Sequence, residues 1–317
     1  MGKRRSRLIK KYLPDIRLAG VDSNAQRREA AAAELGIDVY DNLQTAVIEQ
    51  EADTAFVCCA PLSHASVISD CLDLDLDVFT EINVISDGYA ENISKANEKG
   101  RKIFLSSTFL YRREIQYIID MVHKTEGPIN YIYHTGQYLP DWHPWESFKS
   151  FFVNEKRTNG CREIFSIEMP WLLEAFGTVE SFSVLKDKMS TLDIGYDDNY
   201  IVALTHKNGR KGVLCVDVVA RKAQRSLEIY GENLHLFWGG PEGQSLRLYD
   251  IQNKELVSKN LYDAVEKDGR YAENIIENPY IEEILCCRRY FEEGIAPVYG
   301  MAMDAVTLKI IDAIEGT

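Results

Sequence analysis

Two stretches of this chain concentrate side chains that do chemistry. The first is Tyr138-Leu139-Pro140-Asp141-Trp142-His143-Pro144-Trp145-Glu146, which packs aromatic rings, an imidazole and carboxylates into one short loop. Aromatic faces stack on the apolar faces of sugars, and Asp and His side chains hydrogen-bond hydroxyls. Two prolines, each fixing φ, stiffen the loop. The second stretch is Arg162-Glu163 with Glu168, at the head of an apolar helical pattern. Read together, Tyr138, Asp141, Trp145, Arg162 and Glu168 are candidates to bind a polyhydroxylated substrate. His143 is the candidate base, because imidazole is the side chain that titrates nearest neutrality, and Glu163 is the acid that would orient it. A structural alternative stands beside this reading. Trp142 and Trp145 plug an interface, His143 caps a turn, and Arg162 and Glu163 form an internal ion pair.

The first 22 residues, MGKRRSRLIKKYLPDIRLAGVD, point to different chemistry. A dinucleotide-binding unit runs strand, glycine-rich turn, helix, second strand, then an acid for the adenosine ribose. Here the helix (Gly2 to Tyr12), the second strand (Ile16 to Val21) and the acid (Asp22) are present. The first strand and the leading glycines are not, so Gly2 stands as the third glycine of GxGxxG. An acid at Asp22 accepts ribose hydroxyls and repels a 2′-phosphate, which favours NAD, with NADP as the alternative. Anion binding at a helix start relies on the backbone N–H groups of such a turn. The incomplete cradle therefore predicts weak or absent cofactor binding by the chain as it stands. Either the start codon is misplaced or ordinary cofactor binding has been abandoned. Pro61 and His64 open a later helix where the chain would pass the nicotinamide, and both are cofactor-contact candidates. Simple capping is the alternative for His64.

The elements that must position these residues alternate in type through the first 125 residues. Helical patterns at Ala25 to Leu35, Leu43 to Glu49, Ser63 to Leu72, Tyr89 to Lys99 and Arg113 to His123 separate short apolar runs. Those runs lie at Val39-Tyr40, Thr54 to Cys59, Val78-Phe79 and Ile103 to Ser106. This rhythm predicts a Rossmann-like, doubly wound parallel sheet over 1–125. After Gly127-Pro128 the character changes. Alternating strands at Tyr131 to Gln137, Val179 to Leu185, Tyr200 to Thr205, Gly212 to Val219, Ser226 to Tyr230 and Leu234 to Trp238 predict a largely antiparallel sheet. Helices at Cys161 to Phe176, Pro279 to Glu292 and Met301 to Ile314 cover one face, the last able to pack back on the first domain. Lys207-Asn208-Gly209 reads as a hairpin turn. The segments 138–159 and 239–278 read as irregular. The expectation is an α/β domain over 1–125 and an α+β domain for substrate and oligomer contacts over 126–317.

Composition narrows the partners. A net charge of -13 over 317 residues argues against nucleic acid and anionic membranes. The basic run from Lys3 to Lys11 reads as a solvated helix face, with a targeting or anion-binding patch as the alternative. No stretch approaches the roughly 20 apolar residues of a membrane span, and no apolar signal-peptide core is present. The 7 cysteines include two adjacent pairs and lack zinc-type spacing. Reduced, mostly buried thiols in a cytoplasm follow as the expectation, with no metal site.

These features together resemble the Gfo/Idh/MocA family, typified by glucose-fructose oxidoreductase and inositol dehydrogenase. The resemblance rests on Gly2-Lys3-Arg4-Arg5-Ser6-Arg7-Leu8, the strand ending in Asp22, and Cys59-Ala60-Pro61 followed by His64. It continues in Asp77-Val78-Phe79-Thr80-Glu81, the Asn208-Gly209 hairpin, and Gly294 to Ile314 with Asp304-Ala305. It implies NAD(P)-dependent oxidation or reduction of a sugar, cyclitol or nucleotide sugar, and a homo-oligomer built through the C-terminal sheet. It also places Glu81 near the cofactor.

Two departures from the family stand out. Where members carry Glu-Lys-Pro, this chain has Glu81-Ile82-Asn83. Where a helix carries Asp-x-x-x-His, it has Glu163 and Ile167. Both aliphatic positions lose acid-base function, which is typically worth about 10²–10⁴-fold in rate. Three accounts stay open. The chain is an oxidoreductase with an altered acid-base pair, His143 and Glu163, in a cleft lined by Asp141, Arg162, Ile82 and Ile167. Alternatively it is a noncatalytic sugar- or nucleotide-binding sensor or scaffold, or a truncated product unable to hold cofactor.

Overall fold

The computed structural model describes residues 1–143, 146–239, 245–270 and 275–316. The chain divides into two compact units, Met1–Ser107 with Tyr280–Ala305, and Thr108–Pro279 with Val306–Thr317.

The first unit begins with helix α1 (Gly2–Tyr12) and alternates strand and helix from there. Its elements are β1 (Ala19–Val21), α2 (Ala25–Leu35), β2 (Asp38–Tyr40), α3 (Leu43–Gln50), β3 (Thr54–Val57), α4 (Pro61–Asp73), β4 (Asp77–Thr80), α5 (Tyr89–Lys99) and β5 (Ile103–Leu105). Local chemistry fixes the ends of these helices. The Asn24 side chain accepts the Arg27 N–H at the start of α2, and Gly36 closes that helix at φ 59°. Pro61 occupies the first turn of α4, where its missing N–H costs nothing. All pairings are parallel, but the strands form two sheets, β1-β2 and β3-β4-β5, instead of the single sheet expected. Val57, Ile68, Cys71, Leu72, Leu76, Val78 and Ala96 form the core around the larger one. Phe56, Phe79 and Phe104 stack across its three strands.

The second unit contains α6 (Arg113–Lys124), β6 (Ile129–Gly136), α7 (Gly160–Phe176) and β7 (Val179–Asp187), then β8 (Asn199–His206), β9 (Lys211–Asp217), β10 (Gln224–Gly231), β11 (Leu234–Gly239), β12 (Leu246–Asp250) and β13 (Glu255–Lys259). The strands make one sheet in the order β13-β12-β11-β10-β6-β9-β8-β7. Every pair is antiparallel except β6 with β9. Period-two alternation sorts the faces. Tyr131, Tyr133, Val202, Leu204, Leu214 and Val216 are buried, and the Tyr131 and Tyr133 rings pack on Phe176 and Trp171 of α7. Ile132, His134, Ile201 and Ala203 alternate with them on the opposite, open face.

Besides the split sheet of the first unit, the sequence reading and the structure differ in three places. The first unit ends at Ser107 and not near residue 125, since α6 packs against α7 of the second unit. Within the stretch read as irregular, β12 and β13 form an edge hairpin. Most of the Tyr138–Asn159 stretch is a series of single 3-10 turns.

Two helices close the chain, α8 (Asn278–Glu293) and α9 (Met301–Gly316). Within the first unit, Ile281 and Ile284 of α8 pack on Leu8, Ile9 and Leu13 of α1. Among the described residues no helix is long and apolar enough to cross a membrane.

Candidate active site

The most distinctive acid lies where α7 begins. Asn159 caps this helix by accepting the Arg162 N–H. Gly160 then lets the first turn press on Leu139, Trp142 and Val218. A Cβ there would stand 3.0 Å from Val218 and 3.2 Å from Leu139. The loop on the other side of this contact is an extension of the sheet. The Tyr138 and Leu139 N–H groups donate to Ala220 and Val218, and Trp142 Nε1 donates to the Gln137 carbonyl. Glu163 is thereby placed in the helix turn that faces the Tyr138–Trp142 loop. Burial pushes its carboxyl up to about 7, although part of its surface still meets solvent. An acid so poised holds or releases a proton near neutral pH, which is what general acid-base work requires. Ile167, one turn further on, is also partly exposed.

Its neighbours in sequence are committed elsewhere. Arg162 does not pair with Glu163. Its guanidinium lies 2.6 Å from Asp312 and also bonds Glu315, both on α9. Glu168 is fully buried and accepts from the Tyr133 hydroxyl, Trp171 Nε1 and Arg225. These groups occupy both carboxylate oxygens, so Glu168 holds the core together and does not present itself to a ligand. Arg162 and Glu168 were expected at the substrate, and side chains distant in sequence claim both of them. His143 is partly exposed, lies 3.0 Å from Glu146 and packs on the Phe151 ring, so Glu146 is the acid beside it. Asp141 is exposed. Tyr138 is half-buried under the Arg221 guanidinium, 3.7 Å from its ring centre. Trp145 lies outside the described residues.

In the first unit, Asp22 sits at the end of β1 and remains partly exposed. One carboxylate oxygen accepts the Asn24 N–H, and Arg27 lies 4.0 Å from the other. That second oxygen is open enough to take a ribose hydroxyl, so the residue fits the adenosine end of a dinucleotide. The start of α4 fits as well, because Ala60 supplies no side-chain cap to its N–H groups. Pro61 is buried in that turn, and Gly2 is partly exposed at the start of α1. His64 is buried, with Nε2 at the Cys59 carbonyl and Nδ1 at the Asn83 side chain. Both ring nitrogens thus tie the turn after β3 to the segment after β4. Glu81 is likewise engaged, since Arg5 reaches both of its oxygens, at 2.7 and 3.2 Å. Burial opposes the charge on Glu81, but Arg5 outweighs it and holds the carboxyl below its usual range. Ile82, between Glu81 and Asn83, is partly exposed.

Sequence reasoning missed several polar partners. Arg4 and Arg5, read as part of a solvated face, are buried. Arg5 also lies 2.6 Å from Glu283 on α8. The signal was their spacing, since Arg4 and Arg5 stand four residues before the buried Leu8 and Ile9 and share their face. Asn83, Arg221 and the His134–Asp217 pair (2.6 Å) carried no local signal.

The profile of the family described as "Oxidoreductase family, NAD-binding Rossmann fold" (GFO_IDH_MocA) matches residues 1–104. No curated protein matches the sequence. Solved structures match the fold over nearly the whole chain. An oxidoreductase from Agrobacterium radiobacter, solved with NAD+, L-tartaric acid and magnesium, superposes with a TM-score of 0.80 at 11% identity, covering 98% of this chain and 91% of that one. A UDP-N-acetylglucosamine 3-dehydrogenase from Acidithiobacillus ferrooxidans gives 0.77 at 14% identity, covering 99% and 93%. A Synechocystis biliverdin reductase, solved with biliverdin and NADP+, gives 0.73 at 14% identity, covering 98% and 94%.

Proposed function

We propose that this chain, whose residues 1–104 match the profile of the Gfo/Idh/MocA oxidoreductases, is an NAD(P)-dependent oxidoreductase that acts on a hydroxyl or carbonyl of a sugar, cyclitol or nucleotide sugar, with Glu163 moving the proton. The observation that carries the proposal is the Glu163 carboxyl. It is pushed up to about 7 by burial, in a helix turn set against the Tyr138–Trp142 loop. The chemistry a nicotinamide would supply when bound is acceptance or donation of the hydride. What the chain must add is a group for the hydroxyl proton, and the side chains of Ile82 and Ile167 have no proton to move. Glu163 accepts that proton on oxidation and returns it on reduction. His143, set beside Glu146, is the alternative base, and Tyr138 and Asp141 line the substrate. Asp22 takes the adenosine ribose, which favours NAD over NADP. Arg162, Glu168, Glu81 and His64 hold the framework.

Absorbance of the reduced nicotinamide, followed with a panel of sugars, cyclitols and nucleotide sugars, tests this reading. Turnover with one of these classes is expected, and Glu163→Gln should cost about 10²–10⁴-fold in kcat. A Glu163→Gln enzyme with unchanged kcat would transfer the proton role to His143, which His143→Ala then checks. Failure of every hydroxyl and carbonyl substrate would favour the sensor or scaffold reading.

We also propose that the open face of the second unit's sheet joins two copies of the chain. Ile132 and Ile201 remain 45% and 42% exposed there, although both are central strand residues. Register places Ile201, Cys215, His134 and Ser226 in one row across β8, β9, β6 and β10. Ala203, Val213, Ile132 and Glu228 form the next.

A further inference from the structure

We propose that Arg221 is an oxyanion-recognition residue, and that the substrate is a polyol bearing a carboxylate or phosphate. This rests on the sugar-like substrate proposed above and narrows its class. The guanidinium stands 3.7 Å over the Tyr138 ring, a stacking distance. The backbone beneath it is fixed from both sides. The Tyr138 N–H donates to the Ala220 carbonyl, and Asp217 accepts the Val219 and Ala220 N–H groups just before Arg221. Asp217 is itself held by His134. Arg221 therefore extends from an ordered turn, next to the loop against which Gly160, in the first turn of α7, is packed.

Among the described residues its charge has no counterion. In the same unit Glu114 pairs with Arg112, Asp312 and Glu315 with Arg162, and Glu168 with Arg225. Arg221 has no acidic partner among the described residues, and its guanidinium lies on the Tyr138 ring. Stacking engages the flat face of a guanidinium and leaves the N–H groups at its edge free. Those edges match carboxylate and phosphate oxygens two at a time. Lys222, also exposed, adds a second positive charge beside it. The chain as a whole carries a net charge of -13, so this pair of cations is a local reversal of sign. An anionic group seated on it would place the rest of a small polyol toward the Tyr138–Trp142 loop.

Calorimetric titration of the full chain with D-glucuronate, D-glucose 6-phosphate and D-glucose tests the assignment. At least one acidic probe should bind about tenfold or more tightly than glucose, as a charge-assisted hydrogen bond confers. Whichever acid wins distinguishes a carboxylate from a phosphate ligand. Arg221→Gln should erase the preference for the acidic probe over glucose. Tyr138→Phe, which keeps the ring, should preserve the preference, whereas Tyr138→Leu should weaken it. Equal affinities for all three probes, no binding of either acid, or a preference surviving in Arg221→Gln would overturn the proposal. The titration needs no turnover. An Arg221-dependent preference without nicotinamide reduction would sink the oxidoreductase chemistry and keep the anion site, and turnover with neutral sugars alone would do the reverse.

Discussion

Glu163 is an acid whose neutral form the fold prefers. Its ordinary value is 4.5, and burial pushes it up to about 7. Between those values the folded chain keeps a proton that the unfolded chain has lost, so stability falls as pH rises from about 4.5 to about 7. Above that window the penalty is complete. Glu163→Gln removes it, so the variant should match the parent in urea denaturation near pH 4.5 and be more stable at pH 8. Parallel stability profiles for the two proteins would show that the carboxyl is ionised in the fold. The Arg5 cluster makes an opposite kind of demand. Glu81 and Glu283 both face this single guanidinium, and Ser106 and the Ser107 N–H also bond Glu283. Arg5→Met would remove the cation that both buried carboxylates face. We expect a loss of about 3–5 kcal/mol, typical of breaking a buried pair, measured by denaturant unfolding. A change below about 1 kcal/mol would mean that water reaches the cluster.

At the scale of elements, the inner face of the large sheet is tied to α7 by a neutral histidine. His206, at the end of β8, bonds the Gly177 carbonyl through Nδ1, and its Nε2 meets the Tyr131 hydroxyl. The carbonyl requires a proton on Nδ1, which leaves Nε2 to accept from the tyrosine. Burial lowers the pKa of His206 below its usual value, since a charged ring there would be poorly solvated. The unfolded chain then takes up this proton first, and stability falls as pH drops below about 6.5. His206→Gln should flatten that acid limb in thermal melts between pH 5 and 7, at a cost in stability at pH 8. An acid limb identical to the parent's would assign it to other groups. Gly212 protects the same contact, because an added Cβ would fall inside the Tyr131 ring.

At the scale of the whole chain, the order of residues and the division into units do not coincide. Tyr280–Ala305 returns to the first unit, where α8 supplies Glu283 to Arg5 and Ile281 and Ile284 to the α1 core. The open sheet face of the second unit gives the proposed assembly its test. Ile132→Asp with Ile201→Lys should convert a dimer to a monomer in light scattering and leave the far-UV spectrum unchanged, because both side chains point away from the buried face. A parent that is already monomeric at micromolar concentration would remove the sheet face as an interface.

Much of the secondary structure is determined by the sequence alone, because its causes are local. Period-two alternation defines β6, β8 and β9, caps at Asn24 and Gly36 bound α2, and Pro61 starts α4. Asp22 at the end of β1 and Glu163 in the first turn of α7 follow from the same local patterns. β12 and β13 were harder to see, because edge strands bury little and their alternation is faint. What only tertiary structure decided is the partner of each charge. Arg162 sits beside Glu163 in sequence, yet it bonds Glu315, 153 residues away. Arg5 bonds Glu81 across 76 residues, and Glu168 takes Arg225 across 57. A buried charge must find its counterion wherever packing places one, and neighbours in sequence have no priority. Among the described residues, Glu163 has no cation within salt-bridge distance and Arg221 has no anion.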